Sequence, residues 1–230
     1  MSSIFWCEDS KSGYEFWKLM FQSINSDYIV ESKSNNSELR KAAKKIDNDN
    51  NFYYLLVDQA MDNPEVVREV RALEQIIATK KNVSLVKVHS FEGNLLSFEH
   101  LENWLFDEVD EFREKRKELL RGKDLLVRTA IIGGEASDAT ELKKLMDKMG
   151  CRTNEQFAAK LLLEITRNTG FETGKGKLGD CFKNSCCEWL ERQPDDKCGL
   201  DANRLTFSEK MNDIAKHSSI TSELTRLGII

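Results

Sequence analysis

The chain opens on a compact apolar run, Ile4-Phe5-Trp6-Cys7, that stops abruptly at Glu8-Asp9-Ser10. From Tyr14 the spacing changes. Tyr14, Trp17, Leu19, Phe21 and Ile24 recur near the helical period, which predicts a helix ended by Asn25 and Ser26. Tyr28-Ile29-Val30 predicts a second strand, and Ser37 as a cap predicts a helix through Ile46 with Lys41, Lys44 and Lys45 toward water. The run Phe52 to Val57 is nearly continuous in apolar residues, as a central strand buried on both faces requires. Asn63-Pro64-Glu65 opens a helix to about Thr79, with proline in the first turn and an acid near the positive end of the dipole. Val83 to Val88 reads as a fourth strand.

Strands separated by helices imply right-handed crossovers and parallel pairing. The expected fold is therefore α/β, a mainly parallel sheet flanked by helices. Beyond Leu95 the texture becomes helical: Leu101, Trp104, Leu105, Val109 and Phe112 keep one period into the charged run Arg113 to Lys117. Further helices are predicted at 124–132, 138–149, 154–168, 180–192, 204–216 and 219–227. This all-α C-terminal region suggests two domains, 1–105 and 106–230.

Composition narrows the class. With 230 residues, 40% of them apolar, the chain can bury a sizeable core. A formal charge of -5 argues against a protein coated in base for blanket nucleic-acid binding. No apolar run is long enough to span a membrane, and MSSIFWCEDS lacks the basic-then-apolar layout of a signal peptide. A cytoplasmic protein with no membrane association is expected.

In an open parallel sheet, ligands bind beyond the carboxyl ends of the strands. Glu8 and Asp9 follow the first strand directly, Asp58 follows the third, and Asp62 comes four residues later. If strands one and three are neighbours, Glu8 and Asp58 face each other at one sheet edge. Carboxylate oxygens are hard ligands, and such a group suits Mg2+ or Mn2+ with waters retained. Crowding by Asp9 and Asp58 would also raise the pKa of Glu8 and fit it for acid–base work. The plain alternative is that these acids cap helices and populate loops.

This arrangement resembles the Toprim domains of topoisomerases, primases, ribonuclease M5 and OLD-type nucleases. Ile4-Phe-Trp-Cys-Glu8-Asp9-Ser10 is similar to their first motif. Leu55-Leu56-Val57-Asp58-Gln59-Ala60-Met61-Asp62 is similar to a stretched form of their Asp-x-Asp motif. His89-Ser90-Phe91-Glu92-Gly93-Asn94-Leu95-Leu96, followed by Leu101-Glu102-Asn103-Trp104, resembles a segment of Toprim-like proteins that accompany ABC-type ATPases in anti-phage systems. The resemblance covers residues 1–105. It implies a metal-dependent nuclease acting on RNA or DNA, with Glu8 and Asp58 catalytic and Glu8, Asp58, Asp62 and Glu92 holding metal. It also implies an ABC-type ATPase as a partner. The chain departs from the pattern at Asp9, where the family has glycine, and at Ala60, where it has the second aspartate. A degraded Toprim-like module that regulates or inhibits a protein partner is the competing expectation.

In the second half, Gly174-Lys175-Gly176-Lys177-Leu178-Gly179-Asp180 is glycine-rich, basic and precedes a predicted helix. Exposed N–H groups with Lys175 and Lys177 could hold a nucleic-acid phosphate, with Lys183 and Arg192 nearby. The run does not fit a Walker A loop, and a plain inter-helix loop is its simpler reading. Cys181, Cys186, Cys187 and Cys198 lack paired CxxC knuckles and a nearby histidine, so packing thiols are expected there rather than a Zn2+ site or a disulfide. Cys7, Trp6, Trp17, Trp104 and Trp189 are expected in the core. His89 falls at the same sheet edge as the acids, where it would be structural or would assist catalysis.

Overall fold

In a computed structural model, residues 2–47, 49–107, 111–131, 133, 136–188 and 198–230 are described. The strands β1 (Ser3–Cys7), β2 (Ile29–Ser32), β3 (Phe52–Asp58) and β4 (Val83–Val88) alternate with α1 (Lys11–Ile24), α2 (Asn36–Lys44) and α3 (Pro64–Ile77). Then follow α4 (Ser90–Leu96), α5 (Leu101–Leu105), α6 (Glu111–Lys115) and α7 (Lys117–Leu126). A π-helical turn (Val127–Ile131) leads to α8 (Ala136–Lys148), α9 (Asn154–Thr166), α10 (Asp180–Lys183), α11 (Phe207–Lys216) and α12 (Thr221–Arg226). The sheet is wholly parallel in the order β2-β1-β3-β4, with Cys7 opposite both Ser32 and Leu56 and Asp58 opposite Val88. The α/β class with a parallel sheet, flanking helices and a helical C-terminal part is thus observed.

Side chains that alternate along each strand build two apolar layers. Phe5, Cys7, Leu56, Val86 and Val88 pack on one face with Phe16, Trp17, Met20 and Phe21 of α1. Leu55, Val57, Val83 and Leu85 pack on the other with Leu39 and Ala43 of α2 and Leu73 of α3. Covering both faces is what the uninterrupted apolar run of β3 requires. Phe5 stacks on Phe21 and Tyr54 at 4.0 and 4.7 Å between ring centroids. Each such buried aromatic contributes about 1.5–3 kcal/mol. The first layer continues through Trp104, Leu125, Leu161, Met211 and Leu224, so one core runs from the sheet into the helices beyond residue 105. No helix among the described residues is long and apolar enough to cross a membrane.

Several elements differ from expectation. The cap of α2 is Asn35, whose side chain accepts from the Glu38 N–H at 2.9 Å, not Ser37. Helix α4 was not foreseen, because Ser90, Phe91, Gly93, Asn94, Leu95 and Leu96 are all buried and leave no amphipathic period. The apolar period after Leu101 is broken: α5 stops at Leu105, Phe106 is extended, and helix resumes at Glu111. The helix expected over 124–132 is the end of α7 plus the π turn. That expected over 180–192 is helical only at Asp180–Lys183; Trp189 and Arg192 lie outside the described residues, as does Val109. Trp17 and Trp104 are core, whereas Trp6 is half-buried with the Lys33 ammonium 3.9 Å from its ring centroid. At the outer edge of β4, Arg226 of α12 donates to the Leu85 carbonyl at 2.9 Å. Glu223 accepts there from the Lys87 N–H at 3.2 Å.

Candidate metal centre at the carboxyl edge of the sheet

Pairing of β1 with β3 brings Glu8 and Asp58 together where the two strands end, close enough for each carboxyl to act on the titration of the other. The start of α2 at Asn36 lies beside Glu8, so that helix turns its positive end toward the site and favours the charged carboxyl. Asp9 turns the other way. Its Oδ2 accepts from the Trp17 indole at 2.7 Å, and its carboxylate occupies the space a Cβ at Gly13 would need, 2.4 Å from Oδ1. Glu92 enters from the first turn of α4, where Ser90 and the local backbone partly offset the rise in its pKa. Ser90 holds a left-handed φ of 48°, an expensive conformation for a non-glycine residue and one that recurs at functional sites.

A fifth acid, Glu155, comes from the first turn of α9. Sequence reasoning missed it. An acid near a helix N-terminus is already explained by the dipole, and nothing local ties residue 155 to residue 58. Asp62 lines the same cleft, but its Oδ2 accepts from the Asn154 N–H at 2.6 Å and so serves the start of α9.

Glu8, Asp9, Asp58 and Glu92 are half-buried, whereas Glu155 is exposed at the rim. Burial, then Asp9 and Glu155, push Glu8 up to about 7. Burial raises Asp9 to about 6 against the opposing pull of Trp17. Burial followed by the charges of Glu8, Asp9, Glu155 and Glu92 lifts Asp58 well above the usual carboxylate range. Burial above all brings Glu92 to about 7, and burial with Asp62 raises Glu155. Among the described residues no cation is a main influence on any of the five. Such a group must hold protons or a metal ion.

The donor set is all oxygen, which fits a hard divalent ion. Among the described residues, the trio of potential ligand atoms lying within 4.8 Å of one another is elsewhere, at Glu99, His100 and His217. The sheet edge therefore suits an ion gripped by the Glu8–Asp58 pair and otherwise by water or phosphate, the usual habit of Mg2+.

A cleft of about 370 Å3 opens over this edge, lined among others by Asp58, Asp62, His89, Thr129 and Glu155. The π turn forms one wall, and Thr129 Oγ1 is buried there without a hydrogen-bond partner. Burial lowers the pKa of His89, keeping it neutral. A larger groove of about 1460 Å3 is bordered by α6 and α7, but Arg113 and Lys123 there pair with Glu102 and Arg121 with Glu141. Several of its charges are thus paired.

The glycine-rich loop closes on itself between Gly174 and Lys177 and rests on the start of α1, where Ser12 Oγ donates to the Gly174 carbonyl at 3.4 Å. Exposed Lys175 and Lys177 are thereby carried to the helix that follows Glu8 and Asp9, although Lys177 also pairs with Glu172 at 3.4 Å. Lys183 pairs with Asp180 at 3.1 Å instead. Cys7 is a buried packing thiol with its pKa pushed up to about 12 by burial. Burial does the same to Cys181, and no three sulfurs among Cys181, Cys186, Cys187 and Cys198 converge on a common point. Comparison of the chain with protein-family models, curated proteins and solved structures finds no match.

Proposed function

We propose that the chain is a metal-dependent nuclease of Toprim-like type that cuts phosphodiester bonds in RNA or DNA. The observation that carries this reading is the placement of Glu8 beside Asp58. The pair joins two neighbouring parallel strands at their carboxyl ends, amid three more acids and, among the described residues, with no cation as a main influence. Glu8 and Asp58 would hold Mg2+ or Mn2+, with Glu92 in support. When bound, the ion supplies charge neutralisation on the phosphoryl oxygens. Lys175 and Lys177 would hold a neighbouring phosphate, giving an acidic protein local basic footing. Asp62 serves α9 and contributes through the charge of Glu155. An ABC-type ATPase is the partner the resemblance suggests.

One observation favours a second reading, the non-catalytic interaction module. Ala60 stands where the family has its second aspartate, and the Asp62 carboxylate is engaged by Asn154. Calorimetry with Mg2+ and Mn2+, comparing wild type with Glu8→Gln/Asp58→Asn, separates the two. Metal binding lost in a folded variant, followed by metal-dependent cleavage of RNA or DNA by wild type alone, supports the nuclease. Wild-type protein that neither binds metal nor cleaves supports the module.

A further inference from the structure

The chain has three histidines, and two of them, far apart in sequence, meet outside the acidic edge. His100 precedes α5 and His217 follows α11, yet their ring centroids are 5.0 Å apart. One ligand atom from each ring and one carboxylate oxygen of Glu99 all lie within 4.8 Å of one another. We infer that Glu99, His100 and His217 bind a borderline divalent transition ion, Zn2+ by preference, which fastens the end of α11 to the segment between α4 and α5.

The donor chemistry selects the ion. Two imidazoles and a carboxylate suit Zn2+ with a water in the fourth position, whereas Mg2+ prefers oxygen alone. Asp213 supplies the outer support such a site needs. It lies one turn before His217 on α11, and its Oδ2 is 2.9 Å from His100 Nδ1 while Oδ1 is 3.6 Å from His217 Nε2. One carboxylate thus addresses a nitrogen on each ring and leaves the other nitrogens, His100 Nε2 and His217 Nδ1, for a ligand. His217 Nδ1 already faces Glu99 Oε2 at 3.8 Å. Carboxylate-oriented histidine is the recurring second layer of zinc sites.

The backbone beneath the site is fixed without help from any ion. The Glu99 N–H donates to the His217 carbonyl at 3.0 Å, and the Ser219 N–H donates to Ser97 Oγ at 2.9 Å. Fully buried Asn94 accepts at Oδ1 from Ser219 Oγ and the Ile220 N–H at 3.2 and 3.1 Å, and Ser218 Oγ donates to the Ile214 carbonyl at 2.6 Å. Ligands on a tetrahedral zinc stand about 3.4 Å apart, so the donors need only draw together. That motion falls on the Glu99 side chain, 72% exposed, and on rings that are 41% and 43% exposed. The order already present lowers the entropic cost of closing the site.

The test is titration of the chelator-treated, reduced full chain with Zn2+ by calorimetry and thermal melting, and with Co2+ by visible absorption. We expect one ion per chain, a raised Tm and a Co2+ spectrum without thiolate charge transfer. The single-site variant Glu99→Gln, exposed and so expected to fold, and His100→Gln/His217→Gln should each weaken binding by about tenfold or more, and Asp213→Asn by about 10- to 100-fold. Cys181→Ser/Cys186→Ser and Glu8→Gln/Asp58→Asn should leave this ion bound. Wild-type binding no tighter than that of Glu99→Gln, or binding lost in the cysteine or sheet-edge variants, overturns the assignment and leaves a metal-free His–Asp–His contact.

Discussion

Replacing Glu8 with glutamine should make the metal-free protein more stable near pH 8, much less so near pH 5, and abolish Mg2+ binding at the sheet edge. Burial and the charges of Asp9 and Glu155 move this carboxyl from its ordinary value of 4.5 to about 7. A carboxyl with a raised pKa holds its proton more tightly in the folded than in the unfolded chain, so removing the proton penalises folding. The penalty is absent below the unfolded value, grows from there to about 7, and is complete above it. At about 1.4 kcal/mol per pKa unit it amounts to about 3 kcal/mol. Asp58 is raised by the same charge of Glu8, so part of the relief passes to it. A measured gain of about 1–3 kcal/mol is expected. Glutamine keeps the shape and can donate an amide N–H to Asp58. The assay is denaturant unfolding followed by tryptophan fluorescence, in chelator, from about pH 5 to 8. The difference between variant and wild type should open as pH rises, and Mg2+ near pH 8 should narrow it by stabilising wild type alone. A variant equally destabilised at both ends of the range would refute the reasoning, because Glu8 would then be a structural acceptor rather than an opposed charge.

Lys175→Ala should weaken nucleic-acid binding evenly across sequences and reduce the slope of log affinity against log salt by about 1, measured by fluorescence anisotropy. An unchanged slope removes the loop from the interface. Asn94→Ala strands the Ser219 hydroxyl and the buried Ile220 N–H, while Ser218 keeps the Ile214 carbonyl, and should cost about 1–3 kcal/mol in thermal unfolding, with hydrogen exchange rising first over 217–220. Gly179→Ala would set a Cβ 2.4 Å from the backbone carbonyl carbon of Phe171 and should cost about 2–4 kcal/mol. A loss within about 0.5 kcal/mol would show that the loop yields.

The parts of this structure legible in the sequence are those governed by short-range period and by topology. The apolar run of β3 announces burial on two faces, and alternation of strands with helices implies parallel pairing, which places Glu8 beside Asp58. Helix α4 was illegible because it is buried on every side and so carries no amphipathic signature. Glu155 was illegible for another reason. It reaches the site through packing of α9 on α4, a long-range contact that no residue near position 155 records. The meeting of His100 and His217 depends likewise on Asn94 and the Ser219 it holds, a clamp written in polar residues that read as an ordinary loop. Asn35 displaced Ser37 as a cap because both are good acceptors two residues apart, and propensity does not choose between them.

The way β4 ends the sheet bears on solubility. An outermost strand offers a row of unpaired N–H and C=O groups on which another copy can template itself. Here two side chains of α12 do the blocking: Arg226 takes the Leu85 carbonyl and Glu223 the Lys87 N–H, while an ion pair at 2.8 Å holds the two together. The protection is a removable plug rather than a covering strand. Glu223→Ala/Arg226→Ala should therefore leave the interior intact yet turn the protein toward concentration-dependent self-association, which light scattering would register before any loss of fold.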